Sequence, residues 1–293
     1  MSIKRFELKQ VGMLQPIFEN KSMFLPSFGG AVQTSVTDNQ AEATFLTLRD
    51  TSSKVVTQAY STDENVAFGT GTSNTNRYGP RREIKASTVN VPYDAPLAVH
   101  EGIDRLTFDS PGFEDTIAER IAEITANWAN EYDAAMSVAL SEAASETLSG
   151  ALTKDGVLSV FNAARKHFVV NKVSKNLTWR AYVKTDVYNM LVDSDLAKTY
   201  KGSTVNIDDG EIYKFKGFVI VDAGEDLEND AYFVADNVGV AGVAIEETRA
   251  GETMDYAGVV IVSVAKLGKY IPEANKKAIV VADFTTEAGT PEA

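Results

Sequence analysis

From Phe113 to Leu148 the chain contains neither Pro nor Gly, and apolar residues recur at Phe113, Ile117, Ile121, Ile124, Trp128, Tyr132, Met136, Leu140 and Ala143. Steps of three and four gather these side chains on one face of a helix. The spacing predicts a single helix that starts after Asp109-Ser110-Pro111-Gly112 and ends near Ser149-Gly150. Such a helix is about 50 Å long, the dimension of a strut.

Downstream, Thr153 caps a second helical pattern carrying Val157, Phe161, Ala164 and Phe168. Leu177 to Val183 reads as a strand, and Thr185 caps a short helix with Val187, Met190 and Leu191. After Gly202 the pattern turns to β. Short strands Ile212 to Phe215 and Phe218 to Asp222 bend at Lys216-Gly217; further strands are Ala231 to Ala235, Val238 to Glu247, Val259 to Lys266 and Ala278 to Asp283. The polar tail from Thr285 to Ala293 is expected to fray.

Upstream, residues 1 to about 38 have neither helical nor strand period. Phe18, Phe24, Leu25 and Phe28 stand among Pro16, Pro26, Gly29 and Gly30. Apolar residues in an irregular arm need a burying surface, either the rest of this chain or a neighbouring copy. Residues 41–95 read as a long β-arm. Ala43 to Arg49 and Lys54 to Tyr60 go out, Phe68 to Pro80 is a Gly-, Thr- and Asn-rich tip, and Arg82 to Tyr93 returns with Val89, Val91 and Tyr93 on one face. Ile84 has the opposite parity, which implies a bulge or strong twist. A two-stranded arm is marginal in water by itself, so this one is expected to pack on something else.

The 293 residues suffice for two ordinary domains, or one with large extensions. Hydrophobic residues make up 44% and charged residues 24%, a globular balance. The absence of Cys excludes disulfides, thiolate metal sites and thiol nucleophiles. No signal-peptide pattern follows Met1, and no apolar run is long enough to predict a membrane span. A net charge of −13 argues against a protein that grips nucleic acid, though not against a container for it. The nearest basic cluster is Arg77, Arg81 and Arg82.

No arrangement of residues points to catalysis. His100 and His167 are the two histidines, and neither lies at nucleophile-elbow or metal-site spacing, so both read as structural. Glu246 and Glu247 would alternate faces in a strand. Asp208-Asp209-Gly210 is a turn lacking the further ligands of a calcium loop. Gly69-Thr70-Gly71 lacks the Lys of a phosphate loop, and Val238 to Gly242 lacks the third glycine of a dinucleotide site. No catalytic, cofactor or metal residue is assigned, and an enzyme with dispersed carboxylates stays as a remote alternative.

The order of elements resembles the tailed-phage major capsid protein family: N-terminal arm, long β-arm, spine helix, then an α/β lobe. Local stretches add to it. Leu177 to Val183 with the following short helix, Ile212 to Val221, Tyr232 to Asp236, and Lys269 to Val281 are similar to that family's patterns. Phe218-Val219 stands where Pro-Val is usual, and Ala235 where Gly is common. The resemblance covers roughly residues 30 to 285. It implies an α+β phage capsid fold: N-terminal arm 1–40, extended β-hairpin loop 41–95, peripheral domain with spine helix 96–150, axial domain 151–245, return strands 246–286, and a flexible tail 287–293.

The function implied is a virion shell protein that forms pentamers and hexamers around double-stranded DNA. An encapsulin-type compartment shell is the alternative. Partners implied are copies of itself, a separate scaffolding protein, a portal and decoration proteins. Many members carry an N-terminal scaffold segment of about a hundred residues, and here the spine helix begins too early for one. The arm's Arg77, Arg81 and Arg82, meeting Glu119 and Glu123 of a neighbour, are contact candidates; ordinary solvated charge is the other reading. Phe24 and Phe28 are the candidate N-arm anchors.

Overall fold

The computed structural model describes residues 22–29, 44–50, 59–60, 78, 87–94, 96–104, 113–193, 204–206, 211–225, 227–253 and 256–285. The chain divides into two units, residues 42–92 and the remainder.

In the smaller unit, β1 (Thr44–Asp50) pairs antiparallel with β2 (Ser87–Pro92), placing Leu46 opposite Val91 and Leu48 opposite Val89. The register shifts between Thr44 and Leu46. The irregularity expected at Ile84 falls outside the described residues, as do most of Lys54 to Tyr60 and the tip. Tyr60 and Tyr78 pack edge to face at 5.4 Å.

The first strand of the larger unit is β3 (Leu97–Asp104), which the sequence analysis does not predict. Its inward positions Leu97, Val99, Glu101 and Ile103 alternate with exposed Ala98 and His100, and the one charge among the inward set meets a partner on the spine helix. That helix, α1 (Phe113–Ala143), runs 31 residues, about 46 Å. Its predicted face is the buried one: Ile124, Trp128, Tyr132, Met136, Leu140 and Ala143 are in the core, with Ile117 and Ile121 packed against it. The start signal at 109–112 lies outside the described residues.

The end of α1 departs from expectation. The helix stops at Ala143, and Glu146–Ala151 becomes β4, parallel to β12 (Ile279–Thr285). No breaker stands between Ala143 and Ser149; the edge of β12 offers ladder bonds that compete with the helix, beginning with Ser145 N–H to the Ile279 carbonyl at 3.0 Å. Gly150 is therefore no helix stop. A Cβ there would lie 2.8 Å from Val160 Cγ2, so it lets β4 approach α2 (Lys154–Val170).

Helix α2 starts as predicted, with the Thr153 hydroxyl accepting from Gly156 N–H at 3.3 Å. It buries Val157, Val160, Phe161, Ala164 and Phe168. After β5 (Trp179–Val183) comes α3 (Thr185–Asp193). Thr185 is its first helical residue rather than the residue before it, and its hydroxyl donates to Asp222 at 3.0 Å. Val187 and Leu191 are buried, and Met190 is partly so. Then follow β6 (Thr204–Asn206), β7 (Glu211–Phe215), β8 (Phe218–Asp222), β9 (Ala231–Ala235), β10 (Val240–Thr253) and β11 (Tyr256–Tyr270). The predicted bend at Lys216-Gly217 is a two-residue hairpin turn, with φ of 50° and 98°; positive φ at both positions matches the twist of the flanking strands.

Among the described residues, two sheets organise this unit. Seven strands run β4-β12-β9-β5-β8-β7-β6, and three run β10-β11-β3. Within residues 246–286, β12 lies between β4 and β9, while β11 lies between β10 and β3. The boundary at 245/246 falls inside β10, where the backbone register slips between Ile245 and Glu247. Over the seven-stranded sheet, Phe161 packs edge to face on Phe233 at 4.9 Å and Phe215 at 5.1 Å, and Phe168 on Trp179 at 5.2 Å.

Candidate functional site

Residues 22–29 form a clip fastened both to α1 and to the α/β lobe. The segment ends in a 3₁₀ turn, Leu25–Phe28, with Pro26 near its start and Gly29 at φ 99°. A turn this short leaves main-chain donors without internal partners. Asp133 on α1 supplies acceptors. Ser22 Oγ donates to its Oδ1 at 2.7 Å, Met23 N–H to Oδ2 at 2.8 Å, and Phe24 N–H to Oδ1 at 3.3 Å. Asp133 is buried, and that burial pushes its carboxyl above the usual carboxylate range, with the three donors pulling the other way.

The rest of the clip fastens to the lobe. Ser27 Oγ and Tyr182 Oη are 2.8 Å apart, and Val238 N–H donates to the Ser27 carbonyl at 2.8 Å. Phe24 packs on Tyr182 at 4.5 Å and Tyr232 at 5.8 Å. Gly239 must be a glycine for the clip to seat: a Cβ there would meet Phe28 Cδ1 at 2.7 Å and the Tyr270 carbonyl at 2.8 Å. Next to Asp133, Tyr132 donates to the Gly268 carbonyl at 3.2 Å, and burial raises its phenol pKa. One turn of α1 thus joins the clip and β11.

Phe24 and Phe28 are fully buried in their own chain. In this structure both side chains pack within the chain's own core. Sequence reasoning missed Asp133; an Asp between buried Tyr132 and the predicted apolar face was the available signal.

Glu119 and Glu123 are exposed on α1. Glu123 pairs with Arg120, which also holds Glu101 of β3 at 2.7 Å. Arg77, Arg81 and Arg82 fall outside the described residues. His100 is exposed on β3.

His167 occupies an arrangement that resembles a hydrolase triad by distance alone. Its Nδ1 is 2.5 Å from Glu146 Oε2, and its Nε2 is 3.0 Å from Ser145 Oγ. The hydrogen accounting differs from a triad. Ser145 donates to the Ile279 carbonyl at 2.9 Å, and Asn171 Nδ2 sits 2.8 Å from the same ring nitrogen. A nucleophile must give its proton to that nitrogen; here the proton is committed to a carbonyl. The network ties the α1–β4 turn to the end of α2. Among the described residues no cluster of His, Cys, Asp and Glu is placed to hold a metal, and no helix is long and apolar enough to cross a membrane.

No family model and no curated protein matches the sequence. Solved structures do match its fold. A structure of Microbacterium phage Oxtober96 aligns with TM-score 0.63 at 13% identity, covering 90% of this chain and 91% of that one. The bacteriophage PhiM1 mature capsid aligns with TM-score 0.62 at 12% identity, over 90% and 87%. The capsid of Cyanophage P-SCSP1u aligns with TM-score 0.59 at 14% identity, over 91% and 89%. The chain has the α+β fold of these phage capsid structures.

Proposed function

We propose that the chain is the major capsid protein of a tailed bacteriophage, assembling as pentamers and hexamers into an icosahedral virion shell around double-stranded DNA. The observation that carries this reading is the near end-to-end match to phage capsid structures, about nine-tenths of both chains. The absence of an assigned catalytic constellation and the acidic net charge of −13 are in keeping with a container that encloses DNA without sequence-specific binding. Many identical weak contacts suffice for such a shell. Its partners are other copies of the chain, with a scaffolding protein, portal and decoration proteins as further expected components.

The test is negative-stain electron microscopy with light scattering on the purified protein, alone and co-expressed with neighbouring genes. Closed shells tens of nanometres across are the expected result, and their contents distinguish a virion from an enzyme compartment. A small monodisperse oligomer under every condition overturns the proposal. Deleting residues 66–80 is expected to block assembly while the subunit stays folded, since the β-arm is proposed to reach a neighbouring copy.

A further inference from the structure

The lobe is charge-polarised along its strands. Strands β4, β12, β5 and β8 all run in one direction. Their starting edge carries the end of α2 and the loop to β5, fastened there by Trp179 Nε1–H donating to the Ser174 carbonyl at 3.1 Å. Between positions 156 and 185 the sequence holds no Asp and no Glu, in a chain with 41 of them. Arg180 and Lys184 of that stretch are paired, with Asp236 and Asp230. Arg165, Lys166, Lys172 and Lys175 are exposed and make no ion pair among the described residues. Between them lie Val169 and Val170, 52% and 67% exposed, with Leu177 at 37%. Acids do occur at this edge, but Glu146 is engaged by His167 and Asp236 by Arg180.

The opposite edge, where β5 and β8 end, is acidic. Asp186, Asp222, Glu225 and Glu228 are exposed there, and the nearby Lys184 is held by Asp230.

Lys172 adds a second observation. It occupies the position after the cap of α2 with φ 54°, and the turn is closed by Val173 N–H to the Phe168 carbonyl at 3.0 Å and Lys172 N–H to the Val169 carbonyl at 3.1 Å. That is the helix ending in which glycine is favoured, because a left-handed backbone costs any residue with a Cβ. A lysine here is unfavourable for the fold and adds charge to the edge.

We propose that the basic, valine-bearing edge of the lobe docks on the acidic edge of an adjacent copy, a head-to-tail contact that rests on the shell reading above. Contact between two different patches of one chain closes rings. An apolar centre with a charged rim is the anatomy of a protein interface; nucleic-acid phosphates would use the lysines and gain nothing from the valines. Complementary charge sets register and encounter rate, and like charge placed opposite is strongly unfavourable.

The experiment measures the protein concentration at which the full chain assembles, by light scattering and microscopy at low and high salt. Compared are wild type, K166E/K172E, D186K/E225K, the fourfold combination, and Lys172→Gly. Each double reversal is expected to raise that concentration at least about tenfold at low salt, and the fourfold variant, which restores complementarity, to recover most of the loss. Lys172→Gly is expected to melt no lower than wild type yet assemble less well, which separates the contact from the fold. Reversed variants that assemble like wild type overturn the contact. Reversed variants that form normal shells but retain less DNA overturn it in favour of a nucleic-acid surface. A wild-type chain that forms no shell or ring under any condition overturns the shell reading, and this contact with it.

Discussion

Ser22–Gly29 and the strand pair β1–β2 face one physical problem, too little apolar surface to fold alone, and meet it in opposite ways. The clip has almost no regular hydrogen bonding. It borrows acceptors from Asp133 and buries Phe24, Leu25 and Phe28 in the larger unit's core. The strand pair satisfies its backbone through its own ladder, while Tyr60 and Tyr78 stay 54% and 68% exposed. An irregular segment must be tied down within its chain, since unpaired donors are costly to bury. A hairpin with its backbone already paired can leave its side chains for a partner. Subunit stability therefore belongs to the clip, and assembly is proposed to belong to the arm.

The sharpest way to break this comparison is Phe24→Ala. Emptying a fully buried site among Tyr182 and Tyr232 is expected to cost about 3–5 kcal/mol of subunit stability, read by denaturant unfolding. A loss below about 1 kcal/mol would mean the clip is dispensable for the fold. Next is Gly239→Ala, which drives a methyl into the Phe28 ring and a carbonyl. The expected cost is about 1–3 kcal/mol, and Phe28→Leu in the same chain should relieve part of it.

Asp133 gives a pH signature. Its folded pKa is raised by burial above the unfolded value, so the folded state binds the proton more readily. The penalty for holding the charge is fully present at neutral pH and is relieved as pH falls through the raised folded pKa. Asp133→Asn removes the titration. The stability of wild type relative to Asp133→Asn is thus expected to rise on acidification and level off below the unfolded pKa. A flat difference would show that the carboxylate's donors balance its burial, and a fall on acidification that they outweigh it. The smallest effect on the fold is expected from Tyr60→Ser with Tyr78→Ser, within about 0.5 kcal/mol, accompanied by weaker assembly. A large loss of subunit stability would place the arm's aromatic pair on the clip's side of the comparison.

Much of the architecture was legible locally. The buried face of α1, the Thr153 cap and the Lys216-Gly217 turn each depend on residues within a few positions of one another. The same holds for β9, whose bounds Ala231–Ala235 match the reading. The clip was legible only as a cluster of aromatic residues in search of a surface. Glu119 and Glu123 could be placed on an exposed helix face, but the Arg120 bridge to β3 could not, because β3 itself was not recognised.

What the sequence determined by itself is what short-range physics dictates: which face of each helix is apolar, where Gly, Pro and capping residues turn the chain, and that the lobe's middle segment lacks acids. Tertiary structure decided where α1 ends, because only the edge of β12 makes a strand of Glu146–Ala151 preferable to more helix. It also decided that Asp133, more than a hundred residues from Ser22, would receive the clip's donors, and that the basic end of α2 with the loop to β5 and a group of acids would come to opposite edges of one sheet. Hydrogen-bond partners and charge polarity depend on which strands lie side by side, and that order is set by burial of the whole core rather than by any local spacing.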